Sequence, residues 1–520
     1  MKKYFNTTGT CFPDINYMVD ISSKIEEIIK LIKRNSYFVI NRPRQYGKTT
    51  TLNMLENKLN KEYLVVSITF EGIGDKVFSE EGLFSRTILD MFYDAIELNF
   101  EEEAEKLKSY SKNVDNLRDF SKTLTKWIKD INKEVILIID EVDKSSNNQL
   151  FLSFLGVLRS KYLLMRAKKD YSFKSVILAG VHDVKTLKLK FRNEDEKKYN
   201  SPWNIAVNFD IDMSFSSEEI EKMLLEYSND YGLNMNTKDL SKEIYFFTSG
   251  YPFLVSRVCQ IIDENFYKNE KKCWKIDDIK MAVKYISNEK NTLNEDLMKN
   301  LENNEELYEL IKRILLNGEN VVFNSLDPII DIGVVYGILK NKENRLEISN
   351  KIFEEIIYNY MTSKLKTETK DMTLYNFKNN FITKDNGLDM EKVLIKFQSY
   401  IRENYSTVDR EFIEREGRII FMAFLSPIIN GVGFAFKEVQ ISEEKRLDIV
   451  VTYNKFKYII ELKVWNGEKY HKRGKKQLKE YLDIHNLNKG YLLVFNFNKK
   501  KEYKSSRYNI DDKEIFEVFV

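Results

Sequence analysis

Two groups of residues, far apart in this 520-residue chain, have types and spacings suited to phosphate chemistry. Near the start, Arg42-Pro43-Arg44-Gln45-Tyr46-Gly47-Lys48-Thr49-Thr50 places a glycine, a lysine and two hydroxyls in the order of a phosphate-binding loop. Backbone N–H groups at a helix start, aided by the helix dipole, cradle phosphate oxygens. Lys48 would reach the β and γ phosphates of ATP, and Thr49 would offer its hydroxyl to Mg2+. The first glycine of G-x-x-x-x-G-K-T is Arg42 here, so the loop must turn with larger residues. Further along, the apolar run Val135 to Ile139 ends in Asp140-Glu141. A carboxylate at the end of such a strand can hold the Mg2+ water shell, and the next can orient an attacking water.

The second group is Asp448, Glu461 and Lys463. Leu447 to Thr452 and Lys457 to Leu462 are β-rich runs, separated by Tyr453-Asn454-Lys455-Phe456. A two-residue turn at Asn454-Lys455 sets Asp448 directly opposite Glu461, on one face and with Cβ atoms roughly 5 Å apart. Two carboxylates that close repel unless a hard divalent cation lies between them. Lys463, two residues beyond Glu461, points the same way and can hold a water or stabilise phosphorane charge. The plain alternative is scattered charge on an exposed hairpin. Against it, Ile449, Val451, Ile460 and Leu462 give the other face a continuous apolar set.

The elements around these residues follow an α/β rhythm. Tyr37 to Ile40 is a short strand, and Thr50 to Leu59 has apolar residues at helical spacing. The continuous apolar run Val135 to Ile139 suits a central parallel strand covered on both faces. Leu64 to Phe70 and Ser175 to Ala179 add strands. The second of these leads to His182 and Asp183, either a γ-phosphate sensor or ordinary loop residues. Ser216-Ser217-Glu218-Glu219 opens a helix with capping-box chemistry. Ser249-Gly250-Tyr251-Pro252 precedes a helix bearing Arg257, which could reach the nucleotide from a helical lid. Glu305 to Ser349 alternates short helix and strand signals like a winged helix, which binds DNA or packs domains together; no basic recognition helix stands out, so packing is favoured. Leu365 to Lys384 is polar and reads as a linker.

Composition sets limits. The length implies roughly three to four domains. Net charge is +2, so any basic surface must be local. Six Lys or Arg residues lie between Lys469 and Lys479 without an acid among them. Full neutralisation of phosphates by all six would give a salt slope near about −5, a solvated helix face being the alternative. Tyr470, Tyr481 and Tyr491 could stack bases or pack in the core. Three scattered cysteines fit a reducing compartment, and no apolar run approaches the ~18 residues of a membrane span. A cytoplasmic protein with no membrane partner is expected.

Tyr4-Phe5-Asn6-Thr7-Thr8-Gly9, Tyr17-Met18-Val19-Asp20, the Asn41 to Lys48 loop, Ser201-Pro202-Trp203-Asn204-Ile205-Ala206 and Gly250-Tyr251-Pro252-Phe253-Leu254-Val255 resemble the bacterial AAA-ATPase-like family. In that family an ATPase core precedes a PD-(D/E)XK-type nuclease domain, and arginine is accepted at the first loop glycine. The resemblance implies ATP and Mg2+ at Lys48, Thr49, Asp140 and Glu141, within a loop of Arg44, Gln45, Tyr46, Gly47 and Thr50. It also implies a metal-binding glutamate on the helix Asp409 to Leu425, Glu414 rather than Glu416. Gln477 and Tyr481, at i and i+4, match the pair that supports the site in the exonuclease-type branch.

The expected fold is α/β: a P-loop ATPase core (1–215), a helical lid (216–290), a winged-helix-like spacer (291–365), a linker (366–395) and a restriction-endonuclease-like domain (396–520). The expected function is ATP-regulated, Mg2+-dependent cleavage of DNA. Asp448 and Glu461 would bind metal, with Lys463 assisting the nucleophile. Defence or mobile-element biology would suit it. The alternatives are RNA cleavage, or an ATP-dependent switch whose nuclease fold is catalytically silent and serves for docking. Homo-oligomerisation is left open.

Overall fold

The computed structural model describes residues 2–145, 148–181, 203–268, 270–315, 321–368, 381–404, 417, 420–422, 424–425, 428–429, 433–437, 449–465, 467–496 and 503–520. The chain divides into two compact units. One comprises Met1–Asn303, Asn324–Lys342 and Ile348–Phe353; the other comprises Asn304–Phe323, Glu343–Glu347 and Glu354–Val520.

The first unit alternates helix and strand: α1 (Ser22–Lys33), β1 (Phe38–Asn41), α2 (Lys48–Leu59), β2 (Leu64–Thr69), α3 (Glu81–Ile96), α4 (Glu101–Tyr110), α5 (Leu117–Lys129), β3 (Val135–Asp140), α6 (Gln149–Arg166) and β4 (Ser175–Gly180). The four strands form a parallel sheet in the order β1-β4-β3-β2. Val207 adds a parallel bridge to Phe38 on β1. Every residue of β3 is buried, as its unbroken apolar run requires of a strand covered on both faces. Phe84, Phe92, Phe120, Trp127 and Phe154 from α3, α5 and α6 pack with β2 and β3 in one aromatic-rich core. Dispersion and area burial of such large side chains dominate a core of this kind.

A helical region follows: α7 (Ser217–Asp230), α8 (Thr237–Thr248), α9 (Pro252–Ile261), α10 (Ile276–Asn288) and α11 (Thr292–Glu302). The expected capping box forms at the start of α7. Ser216 Oγ accepts from Glu219 N at 3.2 Å, and Glu219 Oε2 accepts from Ser216 N at 2.8 Å. Between α8 and α9, Gly250 has φ +72°, and an added Cβ would lie 2.0 Å from Phe215 O.

Next come α12 (Glu305–Leu315), α13 (Pro328–Val335), β5 (Leu339–Lys342), β6 (Arg345–Ile348) and α14 (Lys351–Glu368). The expected alternation of short helices and strands is present here. α14 continues past Leu365, and α15 (Met390–Asn404) starts inside the stretch expected as linker. Buried Ile352, Phe353 and Ile357, then Met390, Val393, Leu394 and Phe397, supply apolar faces that hold both helices.

The second unit is built on a six-stranded mixed sheet in the order β11-β12-β10-β9-β8-β7. Its strands are β7 (Gly433–Lys437), β8 (Ile449–Tyr453), β9 (Phe456–Val464), β10 (Lys489–Phe495), β11 (Ser505–Ile510) and β12 (Lys513–Phe519). The strands β9, β10 and β12 run parallel to one another, while β7, β8 and β9 form an antiparallel meander. One face packs on α15 through Val393, Phe397 and Tyr400 against Ile449, Val451, Ile460 and Leu493. The other face packs on α16 (Glu468–Ile484) through Leu478, Tyr481 and Leu482 against Val450, Ile459 and Leu492. Tyr481 and Tyr491 are therefore core residues. Among the described residues no helix is long and apolar enough to cross a membrane.

Because position 250 combines a left-handed backbone with backbone atoms where a side chain would sit, Gly250→Ala should destabilise the first unit by roughly 3 kcal/mol. Urea denaturation followed by tryptophan fluorescence checks this, and an unchanged midpoint would contradict it.

Candidate nucleotide-binding and nuclease sites

The phosphate-loop residues lie between β1 and α2. Gly47, with φ +76°, is the N-cap of α2, and Lys48 is the first helical residue. Lys48 is 8% exposed, and its Nζ donates to Arg42 O and Pro43 O, each at 2.9 Å. Burial pulls its pKa below the ordinary lysine value, against the opposing influence of Asp143, Glu141 and Asp140. On the next residue, Thr49 Oγ1 donates to Asp140 Oδ2 at 2.9 Å. Asp140 Oδ1 accepts from Glu141 N at 2.9 Å, and Glu141 has a left-handed φ of +55°. A hydroxyl and a carboxylate this close, beside a helix N-terminus, form a hard-oxygen pair that fits Mg2+.

Arg42 has a structural task that a glycine could not perform. Its guanidinium donates to Asn41 O at 2.9 Å, Phe209 O at 3.2 Å and Ile211 O at 2.7 Å, and lies over the Phe209 ring. The start of the loop is thereby tied to the chain beyond β4. Arg44 Nη1 meets Asp296 Oδ2 on α11 at 2.7 Å, and Arg44 O accepts from the Tyr251 hydroxyl. Gln45 is exposed with φ +56°, and the Tyr46 ring stands edge-on to Tyr251 with centroids 4.8 Å apart. Thr50 Oγ1 accepts from Cys11 N at 3.2 Å. Arg257 is bound by both oxygens of Glu289, and its Nη1 donates to Gln260 Oε1 at 2.7 Å. Reaching a nucleotide would require breaking that pair. His182 and Asp183 lie outside the described residues.

Sequence reasoning missed Asp143 and Tyr251 here. Asp143 Oδ2 accepts from Val181 N, joining the end of β3 to the end of β4. A third acid so soon after Asp140-Glu141 was a visible signal, but its partner is set by the sheet order.

At the other candidate site the turn forms at Asn454-Lys455, with Asn454 at φ +52°. Pairing runs from Tyr453 with Phe456 to Ile449 with Ile460, the register expected from the turn. Val450 and Ile459 share the face covered by α16, and Glu461 and Lys463 follow Ile459 on it by strand alternation. Glu461 is 1% exposed, and its Oε1 lies 2.5 Å from Lys463 Nζ. Lys463 Nζ also donates to Gln477 Oε1 at 3.1 Å. An ammonium only donates, so the amide oxygen of Gln477 must face it and the amide NH2 turns elsewhere. That nitrogen is buried without a hydrogen-bond partner. Asp448, Glu414 and Glu416 lie outside the described residues. Among the described residues no three His, Cys, Asp or Glu side chains gather as a metal cluster. Glu461 is the hard-oxygen donor described at this position, and a cation there needs further carboxylates to complete its shell.

The basic stretch of α16 is less free than its composition implies. Lys475 Nζ lies 3.9 Å from Glu517 Oε2, and Lys479 pairs with Asp511. Lys472, Arg473 and Lys476 are exposed. Two of the six cations therefore already face carboxylates. His471 Nε2 also meets Glu517 Oε1, at 2.6 Å.

The model of the AAA-like domain family matches residues 16–359, and that of the PD-(D/E)XK nuclease superfamily matches residues 430–506. Among solved structures, the Walker-type ATPase PABY2304 of Pyrococcus abyssi is similar over 68% of this chain and 99% of its own, at 11% identity and a TM-score of 0.46. The RuvB Holliday junction branch migration motor of Thermotoga maritima is similar over 65% of this chain and 95% of its own, at 10% identity and a TM-score of 0.32. The Orc1 protein of Aeropyrum pernix, solved in complex with DNA, is similar over 67% and 94%, at 10% identity and a TM-score of 0.29. Among curated proteins none matches this chain. Since residues 16–359 are well over half of the 520, the chain belongs to the AAA-like domain family, with a PD-(D/E)XK nuclease superfamily domain toward its C-terminal end.

Proposed function

We propose that the chain binds and hydrolyses ATP, and that its nucleotide state controls Mg2+-dependent cleavage of DNA phosphodiesters by the second domain. The observation that carries the cleavage reading is the meeting of Glu461 and Lys463, on one sheet face in the register that Asn454-Lys455 starts, with Gln477 of α16. Asp448, expected opposite Glu461 from a turn at Asn454-Lys455, and Glu414 would be the further metal-binding carboxylates. Mg2+, when bound, would neutralise phosphate charge at each site. Thr49 and Asp140 would hold it in the ATPase site. Lys48 would leave the loop carbonyls for phosphate oxygens, and Glu141 would orient the attacking water. Lys463, with its amine fixed on two sides, would hold the nucleophilic water or stabilise the charge that develops on the phosphate.

The proposed organisation is an ATPase core over 1–215, a lid over 216–290, a spacer over 291–365, a linker over 366–395 and the nuclease domain over 396–520. The three cysteines are free, which suits the cytoplasm. Defence against invading DNA or mobile-element biology would use such coupling.

One observation favours a second reading. Glu461 and Lys463 are both buried and already paired with each other, as in a silent nuclease fold serving an ATP-driven switch. A Mg2+-dependent cleavage assay on DNA and RNA, with and without ATP, separates the two. In the first reading Lys463→Ala lowers DNA cleavage at least about 100-fold while ATP turnover is unchanged. No cutting of any substrate by the intact chain would leave the switch.

Lys48→Ala should weaken ATP binding at least about 100-fold, as a buried phosphate contact is lost; fluorescent-nucleotide titration reads this, and wild-type affinity would overturn the assignment. With Lys472, Arg473 and Lys476, the exposed cations among the described side chains of this stretch, making the phosphate contacts, the logarithmic salt slope of DNA binding should be about −3 rather than about −5. Binding isotherms between low and moderate salt check it.

A further inference from the structure

α16 carries a glycine at position 474, in its interior, where the residue weakens a helix relative to alanine. No turn or cap calls for it. Gly474 is buried and faces the stem of Lys463. An added Cβ would lie 2.9 Å from Lys463 Cε, 3.2 Å from Cγ and 3.5 Å from Cδ. The lysine chain therefore runs across bare helix backbone, and its amine emerges between Glu461 and Gln477, one turn further along the same helix.

The surroundings keep that gap narrow. On β10, a Cβ at Gly490 would meet Leu482 Cδ1 at 2.8 Å and Leu478 Cδ1 at 3.1 Å, so α16 also sits close to the sheet one strand over. One turn before Gly474, His471 meets Glu517 of β12 at 2.6 Å, which anchors the start of the helix. With the helix seated close at several points, the end of the Lys463 side chain is the part that gives way to a side chain at 474.

We propose that Gly474 is a positioning residue for Lys463: the side chain it lacks is the channel that delivers the amine to Glu461 and Gln477. What the amine does there rests on the nuclease reading above, but its placement can be tested apart from cleavage.

The test compares the full-length chain with Gly474→Ala, using Gly156→Ala as a control, since Gly156 lies in α6 with open space beside it. Two readouts are taken. The first is Mg2+-dependent DNA cleavage, where Gly474→Ala should lower kcat about 100-fold with KM for DNA unchanged. The second is the rate at which Lys463 is acetylated by acetic anhydride, followed by peptide mass spectrometry; it should rise in Gly474→Ala as the amine leaves its partners. Gly156→Ala should change neither. If wild-type protein cuts nothing, the nuclease reading fails while the acetylation comparison still decides the placement. Wild-type acetylation of Lys463 in folded Gly474→Ala overturns the proposal.

Should Gly474→Ala lose its fold, the double variant with Lys463→Ala decides, because removing the lysine stem removes the clash. The double variant should melt no lower than Lys463→Ala alone, since alanine is the better helix residue. A double variant as unstable as Gly474→Ala would show that the glycine serves something other than the lysine.

Discussion

A buried ammonium group must be surrounded by oxygen, because an uncompensated charge in a low-dielectric interior is too costly to keep. Both candidate sites are organised around that requirement. Lys48 and Lys463 are each 8% exposed. Lys48 is received by two carbonyls of its own loop, and Lys463 by a carboxylate and an amide oxygen. The difference in partner matters. Loop carbonyls are neutral, so a phosphate competes well for Lys48. The partner of Lys463 is a carboxylate, which attracts an ammonium more strongly than a neutral carbonyl does. The surrounding elements can be understood as devices for bringing those oxygens to the right places.

In the first unit the device is sheet order. Placing β4 between β1 and β3 brings Asp143 to the end of β4, while Asp140 comes within hydrogen-bond reach of Thr49. Arg42 replaces a glycine without spoiling the loop, since its side chain turns away to bind the carbonyls of Phe209 and Ile211. The position needs a chain that can leave the phosphate side of the loop, and a long cation with outside acceptors does so as well as a hydrogen atom.

In the second unit the device is strand register. A period of two means that one turn position decides which residues share a face over the whole hairpin. That makes the Glu461 and Lys463 face legible along the chain, and the apolar set Ile449, Val451, Ile460 does face α15 as its alternation required. The basic run on α16 was less legible. Composition shows cations, but the acids that face two of them, Glu517 on β12 and Asp511 in the turn before it, lie later in the chain. The pairing of Arg257 with Glu289 was hidden for the same reason, its partner lying 32 residues away.

Local chemistry was written in the residues themselves: periodicity for the strands and helices, the left-handed tolerance of Asn454 for the hairpin turn, and the capping pair Ser216 with Glu219 for the start of α7. These depend on neighbours a few positions apart, so they can be read along the chain. The close approach of α16 to the sheet could not. Gly474 looks like a weak spot in a helix until Lys463, eleven residues earlier and on another element, is found lying against it. Excluded volume between distant segments leaves no periodic trace in the order of residues, and it acquires meaning only when the chain has closed on itself.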